Sequence, residues 1–265
     1  MITDATLGPA APEYGWVPAP RYLLRRALVL REVRGIAPCD TLEIGPGPGI
    51  LLHELDDLGF HCFALEMSEA ARAVANALAR EAGKNILYFG APPTGWQERF
   101  GLLLAFEVLE HIEHDLEALC EWRSWLRHDG VLLLSVPSHM KKWNASDVWA
   151  GHFRRYERSQ LAKLMQSAGF RVERILCYGF PLANVVEKIR AANYAPEVNE
   201  ATDKTAKGMH DNSARSGIDR RHVMKWYPLI KSPLGKLVML TADWAQRPFL
   251  HTELGNGYVV RARAA

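Results

Sequence analysis

The chain has 265 residues, 48% hydrophobic and 23% charged, with a formal net charge of +2. That composition suits one elaborated domain with a full core and excludes a disordered or fibrous chain. The four cysteines, Cys39, Cys62, Cys120 and Cys177, form no CxxC pair, which points to free thiols in a reducing compartment rather than a disulfide scaffold. The first twenty residues lack a basic n-region and an apolar h-region, and no uninterrupted apolar stretch reaches the length of a membrane span; a cytoplasmic location is expected. Charge is uneven along the chain: 13 Lys and Arg against 20 Asp and Glu through Ala150, then 19 against 10 from Gly151 onward. The basic residues are spaced rather than clustered, as on a solvated surface; attraction of an anionic substrate or of nucleic acid is the sharper alternative.

In chain order, "PRYLLRRALVLREVRG" carries apolar residues at helical spacing with arginines between them, so an amphipathic helix is predicted from Pro20. "DTLEIG" reads as a strand, "ILLHELDDLG" as a helix, "HCFALEMS" as a second strand and "EAARAVANALAREAG" as a helix. "NILYFG" and "FGLLLAFEV" follow as strands, then a helix over "LEHIEHDLEALCEWRSWLRHDG" and a fifth strand at "VLLLSVPS". This alternation predicts an α/β fold, a mostly parallel sheet with helices on both faces. A helix at "ERSQLAKLMQSAGF" and a strand at "RVERILCYG" come next, and one more strand-like run, "GYVVRARA", closes the chain. If those last two runs are neighbours, the residues between them form an insertion far longer than an ordinary connection, of the kind that serves as a lid. It holds helix-like "LANVVEKIRAAN", polar "NEATDKTAKGMHDNSARSGIDRRH", and "SPLGKLVMLTADWAQ" with Ser-Pro at its start. The expected organisation is an N-terminal helical cap over 1–36, a core over 37–180 and 251–265, and an insertion over 181–250.

The chemistry concentrates at "TLEIGPGPGILL". Gly45, Gly47 and Gly49 stand between a strand and a helix, where bare backbone and unpaired helix N–H groups meet a nucleotide-like ligand. A dinucleotide fingerprint would place glycine where Ile50 stands, so a nicotinamide or flavin enzyme is disfavoured. Glu66, ending the second strand, is placed to accept both hydroxyls of a ribose.

These residues, with "LEIGPGPG", "ALEMS", "LLLAFEVLEHI", "LRHDGVLLLSVPS" and "GHFRRYERSQLAKLMQSAGF", resemble the class I S-adenosylmethionine-dependent methyltransferases. The last stretch is similar to the subgroup of ubiquinone-biosynthesis and natural-product small-molecule methyltransferases. The resemblance implies a Rossmann-like seven-stranded sheet whose final antiparallel strand lies between the fifth and sixth. It implies S-adenosylmethionine as cofactor: Gly45, Pro46 and Gly47 pass the methionine moiety, Glu43 fixes that loop or the amino group, and Glu66 holds the ribose. Met67 packs on adenine, and the Phe106 carbonyl accepts from the methionine ammonium. Because "YFGAPPTG" lacks the aspartate of many relatives, adenine is expected to rest on the backbone at Gly90 and Ala91.

The implied activity is methyl transfer to an oxygen or nitrogen of a small-molecule acceptor, with His111 as candidate base and Glu107 as a second catalytic candidate in the same run. Trp16, Tyr22, Trp226, Tyr227 and Trp244 are candidates to cover the acceptor. The "EVLEH" run also resembles plant small-RNA 2′-O-methyltransferases, which hold a divalent ion with a similar run and a later histidine. On that resemblance Glu107, Glu110, His111 and His152 form a candidate metal site, with the first three on one helix face if the helix has begun by Val108. A nucleic-acid methyltransferase using this site is one alternative, without a recognisable RNA-binding module to support it. A non-catalytic cofactor-binding or interaction protein is the other. The sequence assigns no oligomeric state.

Overall fold

The computed structural model describes residues 1–200 and 220–265. Most of the polar 199–222 stretch lies outside the described residues. The chain opens with a hairpin, β1 (Ile2–Asp4) paired antiparallel with β2 (Gly8–Ala10). Asp4 Oδ1 accepts from the Thr6 and Leu7 amides at 2.9 and 3.1 Å, and this side-chain turn reverses the chain without an Asn-Gly signal. The N-terminal segment, expected to be helical, is thus hairpin and helix. The helix α1 (Pro20–Val33) starts with proline at its first turn and buries Leu23, Leu24, Leu28, Val29 and Val33.

The sheet follows from the alternating elements: β3 (Asp40–Ile44), α2 (Ile50–Asp57), β4 (His61–Leu65), α3 (Glu69–Glu81), β5 (Leu87–Phe89), β6 (Phe100–Phe106), α4 (Asp115–Trp125) and β7 (Leu126–Pro137). After α5 (Ala145–Ala150) and α6 (Arg158–Ser167) come β8 (Phe170–Tyr178), α7 (Leu182–Glu200), two short helical turns at Arg221–Met224 and Tyr227–Lys231, α8 (Pro233–Gln246) and β9 (Gly257–Ala264). The seven strands lie in the order β5-β4-β3-β6-β7-β9-β8. β3 through β7 pair in parallel, while β9 runs antiparallel to both β7 and β8, so the expected topology is observed.

Alternate residues of the central strands feed two cores. Leu103, Ala105, Leu132 and Leu134 face one with Trp122 of α4 and Leu161 of α6. Leu102, Leu104, Val131 and Leu133 face the other with Val29 of α1 and Leu52 of α2. One expected helix is shorter than its pattern: α4 ends at Trp125, and residues 126–130 already belong to β7, across an irregular register between Phe100 and Leu102. In the insertion, Ser232 Oγ accepts from the Gly235 amide at 3.1 Å with Pro233 at the first turn, which fixes the start of α8.

Candidate active site

The strand order reverses between β3 and β6, and the crevice at their carboxyl ends is where open α/β sheets bind ligands. The turn leaving β3 fills one side of it. Gly45, Gly47 and Gly49 all have left-handed backbone, with φ of 61°, 58° and 71°. A Cβ at Gly45 would come within 2.7 Å of Val108, and one at Gly49 within 2.4 Å of the Tyr88 hydroxyl. Both conformation and space therefore require glycine. The loop is held from β4: Glu66 Oε2 accepts from the Gly47 amide and Oε1 from the Ser68 amide, each at 2.9 Å. Burial raises the Glu66 carboxyl while these two amides pull it back. Arg72 supports the segment from below by donating to the carbonyls of Glu66 and Met67 at 2.6 and 2.8 Å. Met67 is 73% exposed, and Gly90 and Ala91 are exposed at the end of the adjacent β5, so these three flank the loop without lining the main cavity.

Glu43 lies under the glycine loop with Oε2 buried and unpartnered. Burial, with Glu66 adding to it, pushes its carboxyl up to about 8 against the pull of Arg25. Glu107, at the end of β6, has φ of 58° and is followed only by a single helical turn at Leu109–His111. The helix has not begun by Val108, so Glu107 is not on one face with Glu110 and His111. Its carboxylate instead takes Arg21 at 2.7 Å, Arg25 at 3.5 Å and the Ser135 hydroxyl at 2.8 Å. Burial alone would raise this carboxyl, but the two arginines outweigh it and hold it at about 2. The contact clamps α1 over the crevice.

Glu110, His111 and His152 do converge, with ligand atoms within 4.8 Å of one another. Glu110 is fully buried and neither carboxylate oxygen has a hydrogen-bond partner; burial and the neighbouring Glu107 raise its carboxyl well above the ordinary range. The rings of His111 and His152 meet edge to face at 4.6 Å. Burial, then His152, push His111 down to about 3. Its Nδ1 is buried and unpartnered. His152 is also lowered by burial, but its Nδ1 is within 2.9 Å of Asp147 Oδ1, which leaves Nε2 directed toward Glu110 Oε1 at 3.9 Å. Both imidazoles are therefore neutral at neutral pH.

Asp147 belongs to a network that sequence reading missed. Asn144 and Asp147 cap α5 reciprocally, an Asn-x-x-Asp spacing related to the capping box that was legible in "NASD". Arg155, 1% exposed at its side chain, donates to both Asp147 oxygens at 2.8 and 2.7 Å and to Glu187 Oε1 at 3.0 Å. Burial would raise Asp147 and Glu187; His152 and Arg155 around the first, and Arg21, Arg190 and Arg155 around the second, hold each at about 2. The network joins His152 to α7, the first helix of the insertion.

A cavity of about 480 Å³ connects the glycine loop to this cluster, within the ordinary range for small-ligand sites. Glu43, Gly45, Pro46, Gly47, Phe106, Glu107, His111 and His152 line it, as do Trp16, Tyr22 and Trp226 of the expected acceptor cover. Tyr227 instead packs in a core with Leu23 and Leu24, and Trp244 lies 71% exposed on α8. The wall opposite the sheet comes from the insertion, including Glu187, Arg190, Tyr194 and Arg220. Among the described residues no helix is long and apolar enough to cross a membrane.

Residues 19–175 match the family described as Methyltransferase domain. The chain is 27% identical over 127 residues to the ubiquinone biosynthesis O-methyltransferase of Glaesserella parasuis, covering 45% of this chain and 54% of that protein. It is 28% identical over 121 residues to the enzyme of the same name from Actinobacillus pleuropneumoniae, covering 43% and 52%. The matches thus span about half the length of these relatives. The fold is shared with an S-adenosylmethionine-dependent methyltransferase from Mesorhizobium loti (TM-score 0.53, 14% identity, 92% of this chain and 98% of that one). It is shared equally with the [4+2]-cyclase SpnF (TM-score 0.55, 17% identity, 91% and 80%), so the fold alone does not name the reaction. The family match covers more than half of the sequence and contains the glycine loop, Glu66 and the histidine cluster: the chain belongs to the methyltransferase-domain family.

Proposed function

We propose that the chain binds S-adenosylmethionine and catalyses transfer of its methyl group to an oxygen or nitrogen of a small-molecule acceptor. The observation that carries this reading is the left-handed glycine loop gripped by Glu66 at the sheet's switch point and opening into the cavity lined by the two histidines. The residues present fit the cofactor. Buried, unpartnered Glu43 Oε2 suits an ammonium group, Glu66 a ribose, and Arg25, over the Phe106 ring at 5.4 Å, a carboxylate. When bound, S-adenosylmethionine supplies a methyl group activated on a sulfonium. The protein's part is to align the acceptor with that carbon and to receive the acceptor's proton.

His152 has the better geometry for the proton, since Asp147 fixes its ring and stabilises the imidazolium that forms. Its neighbour His111 orients the same acceptor atom through its free Nδ1. The lowered basicity of both rings is compatible with this role, because the acceptor's proton becomes strongly acidic as the new bond to carbon forms. The relatives, named as ubiquinone biosynthesis O-methyltransferases, support an oxygen acceptor. The insertion over 181–250 serves as the acceptor's cover in this reading, and 1–36 as the cap that closes the cofactor's side.

The test is mass-spectrometric detection of isotope-labelled methyl transferred to metabolite pools and to RNA in parallel, with calorimetry for S-adenosylmethionine, S-adenosylhomocysteine and NAD. Label confined to RNA would replace the small-molecule reading, and tight NAD binding without an adenosylmethionine signal would remove it. The convergence of Glu110, His111 and His152 supports a second reading in which the cluster holds a divalent ion that grips the acceptor oxygen, one carboxylate and two imidazoles being a suitable donor set. Elemental analysis of protein purified without chelator and assay in EDTA separate the two; full activity in EDTA with no bound metal eliminates the ion.

A further inference from the structure

Five arginines line the cavity, and three of them are balanced. Arg26 pairs with Glu54, Arg21 with Glu107, and Arg25 shares Glu107 from the glycine-loop end. Arg190 and Arg220 differ. Among the described residues, no carboxylate lies within ion-pairing distance of either. Arg190 sits with its guanidinium carbon 5.6 Å from the Tyr194 ring, which stacks on Trp149 at 4.1 Å. Arg220 sits 5.6 Å from the Trp16 ring, and its Nε is buried with no hydrogen-bond partner among the described residues.

Both arginines are half-buried, and a guanidinium drawn partly out of water is costly unless something opposes its charge. Burial, then Arg190 and Arg25, push Arg220 down to about 10, the direction expected where cations converge without an anion. Arg190 also bears on His152 and Glu187, so the positive region reaches the side of the cavity that holds the histidines. In the reading above the methionine carboxylate pairs with Arg25, which itself bears on Arg220, so the cofactor brings one carboxylate to a region of three cations. The walls around the two arginines are aromatic.

We propose that the acceptor is a small apolar or aromatic molecule bearing an oxyanion, a carboxylate or a phosphate, and that Arg190 and Arg220 bind that group. The inference rests on the methyltransferase reading for the word acceptor, but the anion site itself stands on the cavity alone. Recognition by two guanidiniums explains why the site would choose among acceptors of similar shape: a neutral analogue leaves both charges unopposed.

Calorimetry with benzoate, phenyl phosphate and benzamide, on protein with and without S-adenosylhomocysteine, tests it. At least one anion is expected to bind roughly tenfold or more tightly than benzamide, and the better of the two identifies the group. The Arg190→Gln, Arg220→Gln double variant should lose that preference while keeping its affinity for S-adenosylhomocysteine, which also reports that it has folded. Should the variant fail to fold, phenylglyoxal labelling of the unaltered protein replaces it, with the preferred anion expected to protect Arg190 and Arg220. Anions binding no better than benzamide, a preference that survives in the folded double variant, or labelling unaffected by the anion would each overturn the proposal. Loss of the S-adenosylhomocysteine signal with the anion preference intact would sink the methyltransferase reading and leave the anion site standing.

Discussion

The two ends of the cavity are built by different means. At the glycine end the recognition surface is backbone, shaped by seven consecutive residues from Glu43 to Gly49 and held by one carboxylate from the next strand. At the histidine end it is side chains delivered from well-separated places: the turn after β6, the segment around α5, α7 and the segment before α8. A surface made of local backbone can keep one ligand geometry whatever happens elsewhere. A surface made of converging side chains can be altered one residue at a time, as changing acceptor specificity requires.

That contrast is open to test, beginning with the strongest element of the side-chain end. Arg155→Ala leaves Asp147 buried without its guanidinium partner and takes one of the arginines from Glu187, and is expected to destabilise the protein by about 3–5 kcal/mol, read as a shift in the urea midpoint. An unchanged midpoint would show that the network does not fasten the insertion. His152→Asn should lower turnover by roughly 10²- to 10⁴-fold with cofactor affinity preserved, measured by labelled methyl transfer and calorimetry. If His111→Asn alone produces that loss, the roles of the two rings are reversed.

Smaller effects are expected at the glycine end. Glu43 keeps its proton in the folded protein up to about 8, whereas in the unfolded chain it ionises near the ordinary carboxylate value. Its contribution is therefore fully present below that ordinary value and is lost as pH rises through about 8. Glu43→Gln should flatten the decline in stability between pH 5 and 8 by about 2–4 kcal/mol, followed by melting at several pH values. The same decline in both proteins would mean that Glu43 is ionised when folded. Glu107, Asp147 and Glu187, all held at about 2, act in the opposite sense: their contribution is present above the ordinary carboxylate value and lost as pH falls through about 2. Finally, Glu66→Ala should weaken S-adenosylmethionine and S-adenosylhomocysteine alike by about 1.5–3 kcal/mol. An unaltered isotherm would separate the glycine loop from ribose recognition.

The same division explains what the sequence revealed. All seven strands of the main sheet and their order of appearance were legible, because apolar runs are local patterns, whereas the antiparallel setting of the last strand came from the methyltransferase resemblance. Glu66 was legible for a similar reason, being the carboxylate that ends a strand beside the glycine turn. The hairpin at β1 and β2 was not, since its strands have three residues each and its reversal depends on Asp4 bonding two amides. Nor was the conformation of Glu107, a left-handed residue that is not glycine, which removed it from the expected helix face. Arg190 and Arg220 left only a compositional trace, the basic excess of the second part. Which two of its nineteen cations share a cavity is a property of tertiary packing.

The position of β9 carries a consequence for how the molecule is made. This strand bonds along both of its edges, to β7 on one side and β8 on the other, yet it is translated after the entire insertion. Until residues 257–264 leave the ribosome, β7 exposes an unpaired strand edge, and β8, at the end of the sheet, lacks the strand it pairs with. Completion is thus a late, long-range event rather than a progressive zippering from the N-terminus. A ribosome that stalls within the insertion would leave a chain whose glycine loop is already synthesised but whose sheet is still open, the stage at which a chaperone has most to protect.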